Sequence, residues 1–212
     1  GTDMSGGAIG ESVVADMTRY MNKIETVTAA SALVQPGVFY RDFDIETLKH
    51  GRILPCYPAS RDLCTVGGMA ANNSGGEKSL QFGKMANFVT ELKVVFADGK
   101  EYIVKPLTNP QLIRKMSQAD FQGRLYKRTF ELLEAHYNEI QIAKPEVSKD
   151  STGYHLWDVW NRETGIFDLT KLIVGSQGTL GVITDIRVRL IPAPAHSGVL
   201  VCFLKDISNL GD

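Results

Sequence analysis

A run of small residues and side-chain amides is the feature that most restricts what this chain can fold into. It extends from Leu63 to Gly83 and reads LCTVGGMAANNSGGEKSLQFG. Such residues cannot fill a core, but glycine and alanine let another molecule approach the backbone closely, and consecutive exposed N–H groups form anion-binding concavities. The stretch is therefore predicted to contact a flat or phosphorylated ligand. Close packing of backbone segments is the alternative, because small residues also occur at tight helix contacts.

The composition is that of a soluble globular protein. The chain has 212 residues, 43% of them hydrophobic and 22% charged, with a formal net charge of −1. This length suits one large domain or two small ones, and the near balance of charge gives no reason to expect a nucleic acid or an anionic membrane as partner. There is no apolar run of membrane-spanning length and no signal-peptide pattern. A cytoplasmic or peripherally attached protein is expected.

The cysteines and histidines lack the spacing of metal ligands. An odd number of scattered cysteines indicates small buried thiols in a reducing compartment, and no H-x-H or H-E-x-x-H pattern is present. No metal site made by this segment alone is predicted. The residues concerned are Cys56, Cys64, Cys202, His50, His136, His155 and His196.

A β-hairpin is the clearest local prediction. Residues 91–96 and 101–104 are rich in β-prone side chains and flank Asp98-Gly99. An Asp-Gly pair between two such runs is the strongest short-range hairpin signal.

Further strands and helices follow from periodicity and from turn residues. The strands are expected at residues 12–17, 23–27, 32–38, 172–174, 182–191 and 198–204. The helices are expected at 39–50, ended by Gly51, and within 107–137, begun by a cap at Thr108 or Asn109. In the latter region Leu112, Ile113 and Met116 have the spacing of one buried face. Strands and helices do not alternate in a βαβ rhythm, and no G-x-G-x-x-G joins a strand to a helix, so a mixed α+β fold is predicted rather than a Rossmann fold.

Three segments, in their order along the chain, resemble one family. GTDMSGGAIG resembles a pyrophosphate loop, PASRDLCTVGGMAANNSGG a second flavin-contacting stretch, and VGSQGTLGVITDIRVRLIPAP the closing strand of an FAD-binding domain. Together they are similar to the FAD-linked oxidases of the vanillyl-alcohol oxidase type, also called the PCMH-type FAD-binding fold. The D-lactate dehydrogenase and glycolate oxidase D-subunit group is the branch that the chain resembles most, with 2-hydroxyglutarate dehydrogenases nearby.

The resemblance implies a set of FAD-contacting residues. Glycines and short hydroxyl side chains allow close backbone approach, and N–H groups neutralise a diphosphate without lysine. Gly153 and Tyr154 match the family's G-Y pair, which approaches the ligand. The implied cofactor-binding residues are Thr2, Ser5, Gly6, Gly7, Pro36, Gly37, Pro58, Ala59, Ser60, Thr65, Gly67, Gly68, Asn73, Ser74, Gly75, Gly83, Gly178, Gly181, Val182 and Ile183.

Some positions depart from the family pattern. Gln177 stands where the group usually has glutamate, and Met69 where it often has asparagine. No histidine matches the covalent attachment site, which implies non-covalent FAD. The resemblance also implies that the chain is truncated at both ends, with an FAD-binding domain over residues 1–194 that lacks its first strands. Residues 195–212 would begin a substrate domain, and because the family's catalytic residues lie in that domain, no catalytic residue is assigned here.

The function implied by the resemblance is that of an FAD-dependent oxidoreductase. In the full-length enzyme a small 2-hydroxy acid of the D-lactate, glycolate or 2-hydroxyglutarate type would transfer a hydride to flavin N5, and the sequence does not identify the electron acceptor. Two alternatives stay open: a flavin-linked oxidase of another alcohol or a sugar, and a non-catalytic module that keeps the fold.

Overall fold

An antiparallel sheet of five strands forms the centre of the computed structural model. The structure describes residues 9–11, 13–147, 150, 152–196, 198, 200, 201, 203 and 206. The strands are β1 (Ile24–Val27), β2 (Ser31–Val34), β3 (Arg52–Ile53), β4 (Val89–Val95), β5 (Glu101–Val104), β6 (Leu107–Thr108), β7 (Trp160–Asn161), β8 (Ile166–Phe167), β9 (Val182–Arg189) and β10 (Ile191–Pro192). The central sheet has the order β1-β2-β9-β4-β5, β10 pairs with β3, and β6, β8 and β7 form a small three-stranded sheet.

Seven helices surround these strands in the described part of the chain. They are α1 (Tyr40–Lys49), α2 (Val66–Ala71), α3 (Ser79–Phe82), α4 (Asn109–Met116), α5 (Phe121–Ala135), α6 (Tyr137–Ile142) and α7 (Thr170–Ile173). Because every paired strand is antiparallel and the helices lie between strands, the predicted α+β class with an antiparallel sheet is confirmed.

The central sheet has one buried apolar face and one face with paired charges, because successive side chains of a strand point to opposite faces. Leu92 of β4 and Ile186 of β9 are paired and fully buried on one face. On the other face Lys93 meets its partner Asp185 at 2.8 Å, and Glu91 meets Arg187 at 3.5 Å. Opposite charges at directly opposed positions stabilise the pairing of the two strands. The register is therefore fixed both by burial and by charge.

Most of the predicted elements are confirmed. The hairpin of β4 and β5 turns at Gly99, whose φ is +74°. Helix α1 ends before Gly51, whose φ is +64°. Thr108 is the N-cap of α4, and its N–H donates to Gln111 Oε1 at 2.9 Å.

Four expectations for secondary structure and burial need correction. Residues 13–17 are not a strand, and Val13 is 98% exposed because no strand in the described structure pairs with this segment. Residues 172–174 were expected to be extended, but Thr170–Ile173 is a helical turn. Ile113 is exposed although Leu112 beside it is buried. The described residues of 198–204 are not in a strand, and the remainder of that range lies outside the described residues, as does Ser12.

The cysteines are confirmed as buried thiols where the structure describes them. Cys56 and Cys64 are both buried and unpaired, and burial raises the pKa of Cys56 to about 12 and that of Cys64 to about 11. A thiol with so high a pKa is not a nucleophile near neutral pH. Cys202 lies outside the described residues.

Helix α7 begins at a buried carboxylate. The N–H and the hydroxyl of Thr170 donate to Asp168 Oδ1 at 3.0 and 2.6 Å. Burial raises the pKa of Asp168, and the hydrogen bonds from Thr170 and the charge of Lys171 offset this only in part. Because the folded pKa lies above the unfolded one, the contribution of Asp168 to stability falls as the pH rises from the unfolded pKa through the folded one.

We therefore expect the variant Asp168→Asn, which keeps an acceptor oxygen, to gain stability relative to the unaltered chain as the pH rises from 4 to 7. Urea unfolding across this range measures the difference. Asp150→Asn is the matched control of opposite sign: although burial raises the pKa of Asp150, the Thr152 hydrogen bonds and the charges of Lys84 and His155 lower it overall. Because the folded pKa of Asp150 lies below 3.8, that variant should lose relative stability as the pH rises toward 4 from below, and should change little between pH 4 and 7. A pH-independent difference for Asp168→Asn would contradict the assignment.

None of the helices in the described ranges combines the length and the hydrophobicity needed to span a bilayer.

Candidate functional site

An open cleft of about 470 Å³ lies where three separate parts of the chain meet. Its volume is within the range of small-molecule and cofactor sites. The first part is the segment before β1, the second is the start of α2 with Pro36, and the third is the turn after α7 with the beginning of β9. The lining residues are Ile9, Gly10, Val13, Val14, Ala15, Met17, Pro36, Thr65, Gly67, Gly68, Ala71, Ser176, Gln177, Gly178, Gly181, Val182 and Ile183.

Helix α2 approaches residue 36 as closely as its backbone allows. The N–H of Gly67 donates to the Pro36 carbonyl at 2.8 Å, and a Cβ on Gly67 would lie 2.4 Å from Pro36 Cβ. Thr65 is the N-cap of the helix, and its hydroxyl accepts from the N–H of Gly68 at 3.1 Å. Glycine is therefore required at position 67 by packing, and this packing brings the bare backbone of α2 to the cleft.

The opposite wall is a turn with an unusual backbone. Gly175, Gln177 and Gly178 all have positive φ, at +89°, +57° and +77°. The turn is held to the end of α2 because the N–H groups of Gly175 and Gln177 donate to the carbonyls of Ala70 and Ala71, both at 2.9 Å. Two glycines can adopt this conformation without strain, whereas glutamine needs support from its surroundings.

Beyond that turn, the cleft wall continues into β9. A Cβ on Gly181 would lie 2.6 Å from Val94 Cγ1, so glycine allows β9 to begin close against β4. A Cβ on Gly178 would meet no atom within 4 Å. Within the described part of the chain, the N–H of Gly178 also donates no hydrogen bond. The turn thus presents open backbone to the cleft.

The segment before β1 forms the third side. Val13 and Val14 are largely exposed, at 98% and 65%, and line the cleft with Met17. A Cβ on Gly37 would lie 2.1 Å from the Met17 carbonyl oxygen, and the Gly37 N–H donates to Met21 at 2.7 Å. Gly37 therefore contributes by holding this segment in place and not by lining the cleft itself.

The cleft is uncharged in the described structure. Among the described residues that line it, none carries an ionisable side chain, and the polar groups come from Thr65, Ser176 and Gln177. An anionic ligand would therefore be bound by N–H groups, hydroxyls and side-chain amides. No group of three His, Cys, Asp or Glu side chains in the described ranges is arranged to hold a metal ion.

Eight of the sequence-predicted site residues line this cleft, and they come from both glycine-rich motifs. They are Pro36, Thr65, Gly67, Gly68, Gly178, Gly181, Val182 and Ile183. Eight others do not line it: Gly37, Pro58, Ala59, Ser60, Asn73, Ser74, Gly75 and Gly83. Thr2, Ser5, Gly6 and Gly7 lie outside the described residues.

Asn73 and Ser74 have structural partners. Asn73 Oδ1 accepts from the N–H of Ala86 at 2.9 Å, and the Ser74 carbonyl accepts from the N–H of Met85 at 2.9 Å. Both residues are buried, at 4% and 7% exposure. In this structure they connect the end of α2 to the turn before β4.

Tyr154 lies behind the turn that follows α7. Its φ is +56°, and its hydroxyl contacts the Thr179 hydroxyl. A Cβ on Gly153 would lie 2.3 Å from the Gly175 carbonyl oxygen, so the segment packs tightly against the turn. Neither Gly153 nor Tyr154 lines the cleft.

Nine lining residues were not among those predicted from the sequence. Ser176 and Gln177 belong to the VGSQGTLG motif, of which only Gly178 and Gly181 were predicted to contact FAD, and Ala71 lies one helical turn after Gly67 and Gly68. The other six precede β1: two belong to the GTDMSGGAIG segment, which resembles the pyrophosphate loop, and four lie in residues 13–17, where a strand was expected. They are Ile9, Gly10, Val13, Val14, Ala15 and Met17.

Comparison with known proteins shows which families this chain is similar to. Residues 1–105 match the model of the FAD binding domain family. D-2-hydroxyglutarate dehydrogenase of Pantoea ananatis is 27% identical over 92% of this chain and 19% of its own length. Glycolate oxidase subunit GlcD of Bacillus subtilis is 29% identical over 98% of this chain and 34% of its own length. The chain thus spans about a fifth to a third of the length of these relatives.

A solved structure shares the fold. Alkyldihydroxyacetonephosphate synthase superimposes with a TM-score of 0.51 at 20% identity, over 85% of this chain and 23% of that protein. The chain therefore has the PCMH-type fold of this structure, and its residues 1–105 are similar to FAD-binding domains. Its relatives are found in the D-2-hydroxyglutarate dehydrogenase and glycolate oxidase D-subunit group.

The residues present fit FAD. The family model begins at residue 1 and covers two sides of the cleft, the segment before β1 and the start of α2. The open space at Gly178 leaves room for a flat dinucleotide against bare backbone. Absence of a lining carboxylate in the described structure suits a ligand with a diphosphate.

Proposed function

We propose that this chain is the FAD-binding portion of a flavin-dependent oxidoreductase that oxidises a small 2-hydroxy acid of the D-lactate, glycolate or 2-hydroxyglutarate type. The observation that carries the proposal is the meeting, in one cleft whose described lining residues are uncharged, of Gly67 and Gly68 with Gly178 and Gly181. These glycines come from two motifs more than 100 residues apart, both predicted from the sequence to contact FAD. Their shared cleft supports the assignment of that role to both.

FAD, when bound, supplies the acceptor for a hydride, which side chains cannot provide. The residues of this chain would bind and orient it. Thr65 and Ser176 offer hydroxyls and Gly178 an N–H, while Val13, Val14 and Val182 provide apolar surface. We assign no proton-transfer residue within this chain. The domain would occupy residues 1–194, and residues 195–212 would begin the substrate domain.

Titration of the purified chain with FAD tests the binding step. We expect quenching of the flavin fluorescence and a visible flavin spectrum that stays with the protein on gel filtration. After denaturation the flavin should appear in the filtrate, because the proposed attachment is non-covalent. A folded chain, shown by circular dichroism, that neither binds nor retains FAD would contradict this function and leave a non-catalytic module as the better description.

Identifying the substrate class requires an assay of the full-length protein. Anaerobic addition of D-lactate, glycolate or D-2-hydroxyglutarate should bleach the flavin absorbance with at least one of the three. Bleaching only by a sugar or by a simple alcohol would replace the proposed substrate class while keeping the FAD site.

A further inference from the structure

His155 is a buried histidine whose two ring nitrogens both face acceptor atoms. Nε2 lies 2.8 Å from the Thr152 carbonyl oxygen and 3.1 Å from Asp150 Oδ2, and Nδ1 lies 3.4 Å from Asp158 Oδ2. An imidazole donates from one ring nitrogen when it is neutral and from both when it is charged. The ring therefore holds one of the two sides in its neutral form and both in its charged form.

These contacts join the chain on either side of the G-Y pair. Asp150 and Thr152 precede the pair, and Asp150 Oδ1 accepts from the N–H and the hydroxyl of Thr152 at 2.8 and 2.7 Å. A single 3₁₀ turn, Leu156–Asp158, follows the pair, and the ring of Trp157 in it stacks on His155 with 4.9 Å between ring centres. His155 thus closes a loop around the pair and fixes its position.

The G-Y pair supports the turn after α7 from behind. Thr179 has one hydroxyl hydrogen, which it donates to the Ser176 carbonyl at 2.6 Å. The contact between the hydroxyls of Tyr154 and Thr179 is therefore a donation from Tyr154. A Cβ on Gly153 would lie 2.3 Å from the Gly175 carbonyl oxygen, so the two backbones touch. Because Ser176 lines the cleft, this support reaches the cleft wall.

We propose that His155 is a positioning residue of the cleft: it fixes the G-Y pair, and the pair holds the turn at residues 175–179 closed. His155 does not line the cleft, so it acts through Tyr154 and not by contact with a ligand. The hold on the turn stands on the geometry alone. Its consequence for FAD rests on the proposed function.

Three variants separate the polar edges of the ring from its bulk. His155→Phe keeps a flat ring against Trp157 and removes both nitrogens. His155→Gln keeps a side-chain N–H near the position of Nε2, where it can still donate to the Thr152 carbonyl. Tyr154→Phe leaves His155 unchanged and removes only the hydroxyl that donates to Thr179.

The matched control is His136→Phe, the same substitution at another histidine that contacts a carboxylate. His136 Nδ1 lies 2.8 Å from Glu139 Oε2, and the side chain is exposed. His136 lies between α5 and α6, which contribute no residue to the cleft. Loss of this contact should leave the turn unaffected.

Hydrogen exchange of the FAD-free chain tests the hold on the turn. The N–H groups of Gly175 and Thr179 donate to the carbonyls of Ala70 and Ser176. Both should exchange about tenfold faster in His155→Phe and Tyr154→Phe, because loss of a hydrogen bond makes local opening easier. In His155→Gln and in the control they should stay within about threefold of the unaltered chain, as should the amides of β4 and β5 in every variant.

The order of the variants distinguishes positioning from packing. If the ring of His155 acted only by its bulk, His155→Phe would lie closer to the unaltered chain than His155→Gln, and that order would overturn the proposal. Equal acceleration in the turn and in β4 and β5 would also overturn it, because His155 would then serve only global stability. Should His155→Phe fail to fold, unchanged exchange in Tyr154→Phe overturns the proposal, since the turn is then held without the G-Y pair.

Added FAD tests the consequence for the cofactor. At about ten times its dissociation constant, FAD should slow exchange at Gly175 and Thr179 about tenfold, because it would bind only the closed turn. Exchange that FAD does not slow, in a chain that binds it, would overturn the link between this turn and the cofactor. If the unaltered chain binds no FAD, the proposed function fails, and exchange of the FAD-free chain still decides the role of His155.

Discussion

The variant Gly178→Val is expected to bind FAD about 100-fold more weakly than the unaltered chain, a loss of about 2.7 kcal/mol in binding free energy. Gly178 lines the cleft, and a Cβ on it would enter open space with no atom within 4 Å. A valine side chain would therefore occupy space at the cleft wall that the cofactor needs. Fluorescence titration with FAD measures the effect.

The control for this variant is Gly99→Val in the hairpin turn. Gly99 has a φ of +74°, close to the +77° of Gly178, and a Cβ there also meets no atom within 4 Å. Both substitutions should destabilise the fold by about 1–2 kcal/mol, because valine is strained at positive φ. Only Gly178→Val should lose FAD. Similar FAD affinities in the two variants would mean that Gly178 is not at the cofactor site.

The elements that sequence predicted well are those whose signals are local. The Asp98-Gly99 turn needs only its own backbone conformation. At the start of α4, the N–H of the N-cap Thr108 donates to the side chain of Gln111, only three residues away. Neither depends on distant packing. The same holds for Gly51, which ends α1 at positive φ.

The elements that sequence predicted wrongly are those assigned from strand propensity alone. The Leu-Ile-Val run at 172–174 favours a strand by its side chains, yet Asp168 binds the N–H of Thr170 and begins a helical turn instead. Val13 and Val14 have strand propensity, but among the described residues no strand pairs with them, and they line the cleft. Propensity alone does not reveal whether a partner strand is present.

The site was predicted at the level of motifs and not of single residues. Within α2, Gly67, Gly68 and Ala71 line the cleft while Met69 and Ala70 are fully buried. That division follows the helical period, whereas the sequence alone predicts one continuous ligand-contacting surface over the stretch. The burial of Asn73 could not be predicted, because its partner Ala86 belongs to a turn that only the tertiary structure brings near.

Two adjacent glycines of α2 should respond differently to the same substitution. We expect Gly67→Ala to destabilise the fold by about 2 kcal/mol, even though alanine is the better helix former by about 1 kcal/mol. Its Cβ would lie 2.4 Å from Pro36 Cβ and 2.7 Å from the Pro36 carbonyl oxygen, so the helix and the residue-36 backbone would have to separate. FAD affinity should fall as well, because Pro36 and α2 form one wall of the cleft.

Gly68→Ala is the matched control, because its Cβ would meet only the Thr65 hydroxyl, at 3.2 Å. Its stability should stay within about 1 kcal/mol of the unaltered chain, since a small shift of that side chain relieves the contact. Urea unfolding of both variants measures the difference. If Gly67→Ala proves as stable as Gly68→Ala, the close contact between α2 and Pro36 does not hold this wall of the cleft, and small residues at this position would then reflect contact with a ligand and not packing.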